Sequence, residues 1–572
     1  MRHTATCSAA RLTLLTSIAI VSIVGLTGCG GNGPETAAVT QARESCAGPE
    51  CHDGAVEAHA GGVHTSLGCD ECHEGAAEHA ADPESVRTAV DWTIESCARC
   101  HETVAATYLY DDNTKVGPFG GSQREPAIDK VTEFPQYNTI VAGHGFTRDY
   151  REEGAHAFML EDHYETLRGK FETCVQCKST KVAWAWSSGT PLTVPEDTPI
   201  TLTHTATDET PAREVIVPAG TIVEFGTDPR NHEVLASARY ASGRTYTSRP
   251  DPMADASEHE DMLWAATIAA IKETMPYGAG CNHCHDPHSG SQRVVREAML
   301  KAVGDQGVNP YDANAAPSFE EAGTRDKETL LCAQCHVEYT CGRSGVDGMV
   351  RDHFGWSKAA NLHEEYTTIF GYSQDWIHSV IGEPLIKSQH PETELYWNSP
   401  HYTAGASCAS CHMPSVRTAT GERIRSHWFT SPYKYGNATT YAPFAEATGL
   451  RPDGVKQGNP CAHCHDDRVA NAIAGQQRVY ERQKVVQNLL AASVNELGKL
   501  RTAAEAGVLI KESRRDQAVE AHRKAHVLWE NLIVSENSMG FHNFDEVMDA
   551  MDAAEAEARA ALDFARRAYP DE

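Results

Sequence analysis

A short cysteine motif recurs along this chain and limits what the chain can fold into. Six times, two cysteines separated by two residues are followed directly by histidine. This pattern attaches c-type haem, because the two thiols bond the porphyrin edge and the histidine then lies under the iron as an axial ligand. The six sites are Cys69-Cys72-His73, Cys97-Cys100-His101, Cys281-Cys284-His285, Cys332-Cys335-His336, Cys408-Cys411-His412 and Cys461-Cys464-His465.

Two further sites vary this motif. The stretch CAGPECH holds Cys46-Cys51-His52, with four residues between the cysteines. The stretch CVQCKS holds Cys174-Cys177-Lys178, with lysine in place of histidine. We therefore predict eight c-type haems. Zinc sites and disulfides also pair cysteines. Neither explains why histidine directly follows the second cysteine at seven of the eight sites.

The composition agrees with a haem-packed core. The chain has 29 histidines among 572 residues, which is enough to give each electron-transfer haem a second axial ligand. Only 41% of the residues are hydrophobic and 7% are aromatic, so the porphyrins would supply much of the apolar core. We predict a mainly α multihaem cytochrome c fold with little β structure.

Residues 1–28 are predicted to be a secretory signal peptide. Arg2 and Arg11 give it a basic start, and the apolar run LTLLTSIAIVSIVGL is short for a membrane span. The following LTGC looks like a bacterial lipobox, which implies lipidation of Cys29; the alternative is an ordinary signal peptide with an incidental cysteine. We expect a protein on the periplasmic side of a bacterial membrane, lipid-anchored at Cys29, or else soluble in the periplasm.

The net charge of −30 makes nucleic acid an improbable partner. An anionic substrate would be repelled at long range, so it would need a pocket that is locally positive. This requirement bears on the lysine site.

The remaining sequence divides by composition. Residues 29–45 are a polar linker, 46–139 form a three-haem region, and 140–465 form a catalytic region with five haem sites. The segment from about residue 188 to 255 is rich in Thr, Val and Pro, and this composition predicts a β-structured or loop insertion. Residues 466–572 show helical spacing without a haem site, which favours an oligomer interface in a homo-oligomer or an intramolecular bundle.

Lys178 marks a haem that differs from the others. A haem with two histidines passes electrons but has no position for substrate, whereas a catalytic haem needs an open coordination site. An amine bonds iron only when deprotonated, and coordination itself lowers the affinity of the lysine for its proton. The alternative is a decayed attachment motif.

The last five sites resemble cytochrome c nitrite reductases, pentahaem enzymes that form ammonia and carry one CxxCK haem followed by four CxxCH haems. The stretches of sequence in which this resemblance is found are HYETLRGKFETCVQCKS, CAQCHVEYT, PLIKSQHPE and SENSMGFHN. The resemblance implies that Arg168, Tyr339 and His390 face the substrate beside Lys178. Taken singly, these three could be a surface arginine, a core tyrosine and a haem-ligating histidine.

The same resemblance implies further ligands. A calcium ion would be held by Glu338, Tyr339, Lys387 and Gln389, through a carboxylate and other oxygen donors. The second axial ligands of the four later haems would be His156, His401, His427 and His542. The N-terminal haems would draw theirs from His59, His64, His79 and His144, among which the sequence does not choose.

Eight haems with lysine at the fourth resemble the octahaem nitrite reductases. That resemblance implies reduction of nitrite to ammonium and also of hydroxylamine, with sulfite as a further candidate substrate. The electrons would come from an unidentified periplasmic or membrane donor. It also implies a thioether crosslink between Tyr339 and Cys341, where a buried free thiol is the alternative. Two other functions stay open: an octahaem hydroxylamine oxidoreductase, which Lys178 disfavours, and a non-enzymatic electron conduit.

Overall fold

The structure is a computed structural model. It describes residues 46, 53–86, 88–90, 93–109, 134–144, 156, 159–160, 172–202, 213–229, 232, 234–248, 256–272, 278–338, 361–369, 371, 373–388, 391–429, 431–434, 437–438, 442–452, 461, 464–465, 469–530 and 538–570.

The chain forms two compact units. The first, called here the N-terminal unit, comprises Met1–Leu109 together with Gly280–Arg293. The second, called the main unit, comprises Tyr110–Ala279 and Val294–Glu572. The attachment site Cys281–His285 therefore belongs to the unit that holds the first three sites. The domain boundaries drawn from sequence composition stay predictions.

The N-terminal unit consists of short helices joined by turns. Its helices are α1 (Asp53–Gly61), α2 (Ala76–Ala81), α3 (Ile94–Ala98) and α4 (Glu102–Tyr108), and its strands β1 (His73–Glu74) and β2 (Ala89–Val90) pair antiparallel. Within its described residues the buried side chains are few, namely Ala76, Ile94, Thr107 and His283. Such a unit needs its cofactors to complete a core.

In the main unit, helices α5 (Tyr137–Ile140), α6 (Glu172–Lys178) and α7 (Thr180–Ser188) precede a β insertion. Ser179 caps α7 by accepting a hydrogen bond from the Val182 amide, and Gly189 ends it in the left-handed region at φ 66°. Ser179 thus separates two helices, and Lys178 is the last residue of the first.

The insertion predicted near 188–255 is β structure. Its strands are β3 (Leu192–Thr193), β4 (Thr198–Leu202), β5 (Arg213–Val217), β6 (Ile222–Thr227), β7 (Val234–Arg239) and β8 (Thr245–Thr247). They form an antiparallel sheet in the order β3-β6-β7-β8 and a separate β4-β5 hairpin. Buried and exposed residues alternate along β4 and β7, so one face packs on helix α8 (Ala256–Ile271), whose Leu263–Ile271 segment is buried.

The middle of the main unit is mostly short helices and two-residue strand pairs. The helices are α9 (Glu297–Gln306), α10 (Thr324–Ala333), α11 (Leu362–Glu364), α12 (Glu392–Trp397), α13 (Pro400–Thr403), α14 (Cys408–His412) and α15 (Ala442–Thr448), with a π-helical turn at Glu365–Ile369. The strands are β9 (Trp376–Ile377), β10 (Pro384–Leu385), β11 (Ser415–Arg417), β12 (Arg423–Arg425), β13 (Tyr433–Lys434), β14 (Asn437–Ala438) and β15 (Arg451–Pro452).

Three long helices end the chain: α16 (Val469–Glu505), α17 (Glu512–Glu530) and α18 (Phe544–Arg567). Asn543 caps α18, acidic residues occupy its first turn and arginines its last, which suits the helix dipole. Its buried face is largely alanine, and small side chains let α17 and α18 pack closely.

The mainly helical fold, the β insertion and the long C-terminal helices are confirmed. The helices pack on one another within the chain, and an oligomer interface there stays a prediction. In the described part of the chain, no helix is both long and apolar enough to cross a membrane.

Candidate functional site

The attachment motifs form single helical turns. The amide of the residue after the second cysteine donates to the carbonyl of the first cysteine at His101, His285, His336 and His465, over 2.8–2.9 Å. Such a turn places both thiols and the following histidine on one side of the backbone. Among the cysteines whose side chains the structure describes, none is held in a disulfide.

In the N-terminal unit, two motif histidines face a second histidine. The ring centroids of His101 and His64 are 6.1 Å apart. Those of His73 and His288 are also 6.1 Å apart, with ring planes inclined by only 14°. His64 was one of four candidate partners, whereas His288 was not considered from the sequence.

In the main unit, three motif histidines are paired in the same way. The centroid separations are 6.0 Å for His336 with His156, 6.0 Å for His465 with His401, and 6.3 Å for His412 with His542. These are three of the partners that the family resemblance implies.

The spacing of these five pairs fits a haem iron between the rings. A metal–imidazole bond is about 2 Å long and the nitrogen lies about 1 Å from its ring centroid, so two axial imidazoles hold their centroids roughly 6 Å apart. A direct ring-to-ring contact would be closer in a stacked geometry. The residues present therefore fit haem as the predicted cofactor.

The other ring nitrogen of several histidines is already engaged. The Nδ1 of His336 lies 3.2 Å from the Glu392 carboxylate, and that of His64 lies 3.0 Å from the Pro287 carbonyl. The Nδ1 atoms of His79 and His427 similarly meet the carbonyls of Val86 and Arg425. A histidine that donates from Nδ1 presents a neutral Nε2 to a metal. Glu392 also affects the protonation of His336. Burial alone would lower the pKa of His336, but the nearby Glu392 carboxylate raises it by more, so the net shift of the pKa is upward.

Neighbouring attachment sites approach one another through their thiols. In the N-terminal unit, the Cys69 thiol is hydrogen-bonded to the Cys46 thiol, and the Cys281 thiol to that of Cys97, which also interacts electrostatically with Cys72. These contacts connect the first attachment site to the second, the second to the third, and the third to the Cys281 site. Electrons could pass along such a series within the unit.

The main unit has its own series. The Cys177 thiol lies 4.0 Å from the Gln334 carbonyl, beside the Cys332–His336 site. The Cys408 thiol is hydrogen-bonded to the Cys332 thiol, and Cys411 interacts electrostatically with Cys461. The lysine site is thus followed by the three later histidine sites in chain order.

Lys178 lies half-buried at the end of α6. The Thr180 amide, just beyond it, donates to the Gly278 carbonyl over 2.8 Å, and the Ala279 amide donates to the His156 carbonyl. The lysine helix is therefore tied through residues 278–279 to a histidine that pairs with the Cys332 site.

Two described residues belong to the predicted calcium set. Glu338 is 4% exposed, accepts a hydrogen bond from the Tyr366 hydroxyl, and donates its amide to Glu394 Oε1 over 2.8 Å. Lys387 is 6% exposed, and its amide donates to Asp375 Oδ2 over 2.6 Å. A buried carboxylate and a backbone carbonyl are ligands of the type a hard cation prefers.

Several predicted residues lie outside the described ones. They are Cys29, Cys51, His52, Arg168, Tyr339, Cys341, Gln389, His390 and the side chain of Cys174. Of the other candidate ligands, His59 lies on α1, and His144 lies in the main unit with its ring 4.5 Å from that of Trp376. Among the described residues, no cluster of three or more His, Cys, Asp or Glu side chains could hold a metal ion by itself.

The sequence reading missed His288, Glu394 and Glu530. His288 follows its motif as CHDPH, a second histidine three residues on, and this could have drawn attention to it. Glu394 and Glu530 are fully buried carboxylates that bond the backbone beside predicted site residues. Burial raises the pKa of both carboxyl groups, to about 7 for Glu530 and well above the ordinary value for Glu394.

Comparison with known proteins agrees with this picture. A family model described as Cytochrome c552 matches residues 107–190 and 246–569. A cytochrome c nitrite reductase subunit NrfA of Nitratidesulfovibrio vulgaris is 28% identical over 56% of this chain and 59% of its own length. This chain thus spans less than two thirds of that relative. A cytochrome c-552 of Porphyromonas gingivalis is 24% identical over 82% of this chain and 75% of its own.

A solved structure has a similar fold. The catalytic subunit NrfA of the cytochrome c nitrite reductase from Desulfovibrio desulfuricans, which has two calcium sites, superposes with a TM-score of 0.54. The match covers 84% of this chain and 86% of that one at 20% identity. This likeness concerns the fold.

Proposed function

The chain belongs to the cytochrome c552 family, and we propose that it is a multihaem reductase that converts nitrite to ammonium at a lysine-ligated haem. The haem would be bound by Cys174 and Cys177, with Lys178 as axial ligand. Nitrite reductases among the relatives support this substrate.

One observation carries the proposal. Five motif histidines each face a second histidine at 6.0–6.3 Å, the geometry of haems that are closed to substrate. The Cys174 site alone among the eight motifs offers lysine instead of histidine. A chain with many closed haems and one chemically different haem suits an enzyme that collects electrons for a single reacting centre.

The reaction needs many electrons and protons. Reduction of nitrite to ammonium consumes six electrons and eight protons and releases two waters. When bound, the haem held by Cys174, Cys177 and Lys178 would supply a coordination site for the substrate and one-electron transfer. The remaining haems would store and pass those electrons along the thiol-linked series of each unit.

The protein's own residues would handle the anion and the protons. Arg168 and His390 would bind nitrite by positive charge and donated hydrogen bonds, which offsets the chain's net negative charge. His390 and Tyr339 would pass protons as the N–O bonds break. The Tyr339–Cys341 thioether would attach sulfur to the phenol ring and lower its pKa.

A calcium ion would lie beside this site. Glu338, the carbonyls of Tyr339 and Lys387, and the Gln389 side chain would hold it. Glu338 and Glu394 are both buried and interact electrostatically, which supports this assignment because two neighbouring carboxylates out of water call for a cation. The ion would add positive potential near the anion.

Three sites before the lysine motif support the octahaem form of this enzyme. Such a pocket would also take hydroxylamine, whose nitrogen has an oxidation state between those of nitrite and ammonium. It would also take sulfite, a small oxyanion that carries a lone pair on its central atom, as nitrite does. The protein would act on the periplasmic side of the membrane, anchored through Cys29, with electrons from a periplasmic or membrane donor. Its C-terminal helices would also serve a homo-oligomer.

The alternative is an electron conduit, which the run of paired histidines favours. Steady-state assays of the haem-loaded protein with reduced methyl viologen separate the two. The reductase consumes nitrite, oxidises six equivalents of viologen per nitrite and releases ammonium. Absence of nitrite-dependent viologen oxidation would leave the conduit.

Variants then locate the pocket. Arg168→Ala is expected to raise KM for nitrite, and His390→Ala to lower kcat more than it raises KM. Arg239→Ala, which changes an exposed arginine on β7, is the matched control and should leave both constants unchanged. Wild-type kcat/KM in both site variants would place the pocket elsewhere.

A further inference from the structure

A stripe of ionisable residues runs along one face of α17. His522, His526 and Glu530 are spaced by four residues, so they lie one above the other over about 12 Å of helix. All three are 0% exposed. Helices normally bury apolar residues on the inner face, so a buried stripe of this kind calls for an explanation.

Much of the stripe's hydrogen-bonding capacity is unused. The Nε2 of His522, both ring nitrogens of His526, and Oε1 of Glu530 are buried and have no hydrogen-bond partner among the described residues. Of the four ring nitrogens of the two histidines, only the Nδ1 of His522 is engaged among the described residues, 3.1 Å from the Ser493 hydroxyl on α16. Buried polar atoms are rarely left without partners, and ordered water is the usual partner where side chains supply none.

The geometry suits water better than a metal or a haem. In the described part of the chain, no cluster containing these residues could hold a metal ion. The ring centroids of His522 and His526 are 6.2 Å apart, but the rings belong to successive turns of one helix, about 5.4 Å in pitch, and no attachment motif adjoins them. A porphyrin plane cannot enter between two such turns, whereas a single water can hydrogen-bond both rings.

One end of the stripe meets the segment that leads to the predicted active site. Glu530 Oε2 accepts hydrogen bonds from the Ser388 amide over 2.9 Å and from its hydroxyl over 3.0 Å. Ser388 is two residues before His390, which the proposed function assigns to the substrate pocket. The stripe therefore ends at Ser388, which precedes the proposed proton donor in the sequence.

The other end approaches an exposed loop. His378, itself 0% exposed, interacts electrostatically with His522 and His526 and donates from Nε2 to the Thr139 carbonyl over 3.1 Å. The next residues, Ser379 and Val380, are exposed. His144, Lys387 and Asp375 also face the stripe through electrostatic interactions with His526 or Glu530.

We propose that His522, His526 and Glu530 line an internal chain of water that carries protons from the 378–380 loop to Ser388. The inference rests on the proposed function, because it names the route by which protons reach that site. The unused ring nitrogens hold the water molecules in place, and protons pass from one water to the next without net change in the side chains.

The test compares three variants of the haem-loaded protein. His526→Phe replaces the polar ring by an apolar one of similar shape and should expel the water. His526→Gln keeps groups that can hold water. His259→Phe is the matched control, since His259 on α8 also has a buried Nδ1 with no partner among the described residues.

With nitrite as substrate, His526→Phe is expected to lower kcat about tenfold, less than the 10²–10⁴ of a lost acid–base group because other water can partly substitute. Its solvent deuterium isotope effect should rise, since proton supply then limits turnover, and KM should not change. His526→Gln should recover most of kcat, and His259→Phe should match the wild type. Wild-type kcat and isotope effect in fully haem-loaded His526→Phe would overturn the proposal.

Two readouts do not depend on nitrite turnover. A crystal structure should show ordered water within hydrogen-bond distance of His522 Nε2 and the His526 ring, and a dry stripe would overturn the proposal. If the wild type fails to reduce nitrite, the proposed function falls and proton uptake on dithionite reduction, followed with a pH dye, replaces kcat. Slower uptake in His526→Phe supports the water chain, and equal rates contradict it.

Discussion

His288 offers a sharp test of the haem arrangement, because no sequence pattern used above selected it. Its ring lies 6.1 Å from that of His73, with planes 14° apart. Replacing His288 by alanine should remove one axial ligand of the haem at Cys69–Cys72. Ferric haem with a single imidazole is high-spin, so we expect one additional high-spin haem per chain.

The ring planes identify which signal should disappear. The other four pairs are inclined by 59°, 60°, 66° and 85°. Near-parallel axial imidazoles separate the iron d orbitals more than crossed ones and give a rhombic low-spin EPR spectrum. His288→Ala should therefore remove rhombic intensity equal to one haem and add high-spin intensity equal to one haem.

The control lies in the same loop. His283 is buried, and its Nδ1 accepts a hydrogen bond from the Gly280 amide over 3.2 Å. His283→Ala should leave the spin count unchanged. An unaltered rhombic signal in haem-loaded His288→Ala would refute the assignment of His288 and weaken the argument from ring spacing for every pair.

Three further predictions concern stability and chemistry. Trp529 is 0% exposed, packs against Phe134 and donates a hydrogen bond to the Gln483 carbonyl over 3.0 Å. Trp529→Ala should lower the free energy of unfolding by about 3–5 kcal/mol and lower the thermal midpoint measured by far-UV circular dichroism. Trp529→Phe should lower both by less. Burial lowers the pKa of His363 to about 4, below the ordinary 6.5 of the unfolded chain. As pH falls from about 6.5 to about 4, only the unfolded state gains a proton at this residue, so the free energy of unfolding declines over that range. His363→Gln should make this decline shallower when the free energy of unfolding is measured against pH. Peptide mass spectrometry should recover Tyr339 and Cys341 as one linked species, and an alkylatable Cys341 thiol would refute the crosslink.

Local patterns were enough to predict the elements and the attachment sites. Alternation of apolar residues predicts the β insertion, and spacing by three and four predicts the C-terminal helices. The cysteine motifs predict the haems because covalent attachment requires a fixed local spacing. None of these signals depends on what lies elsewhere in the chain.

Pairings across the chain could not be obtained in this way. His73 and His288 are far apart in sequence and meet only through folding, which also brings the Cys281–His285 site into the N-terminal unit. The α17 stripe was equally hidden, because histidine and glutamate at every fourth position are typical of an exposed helix face. Only their complete burial shows otherwise.

The central claim is that the haem of Lys178 is open to nitrite while the paired haems are closed. EPR of the oxidised, haem-loaded protein tests it directly, by counting high-spin haems before and after nitrite is added. The account predicts one high-spin haem per chain whose signal changes on nitrite binding, while the low-spin signals stay the same. A spectrum that is wholly low-spin and unaffected by nitrite would contradict it.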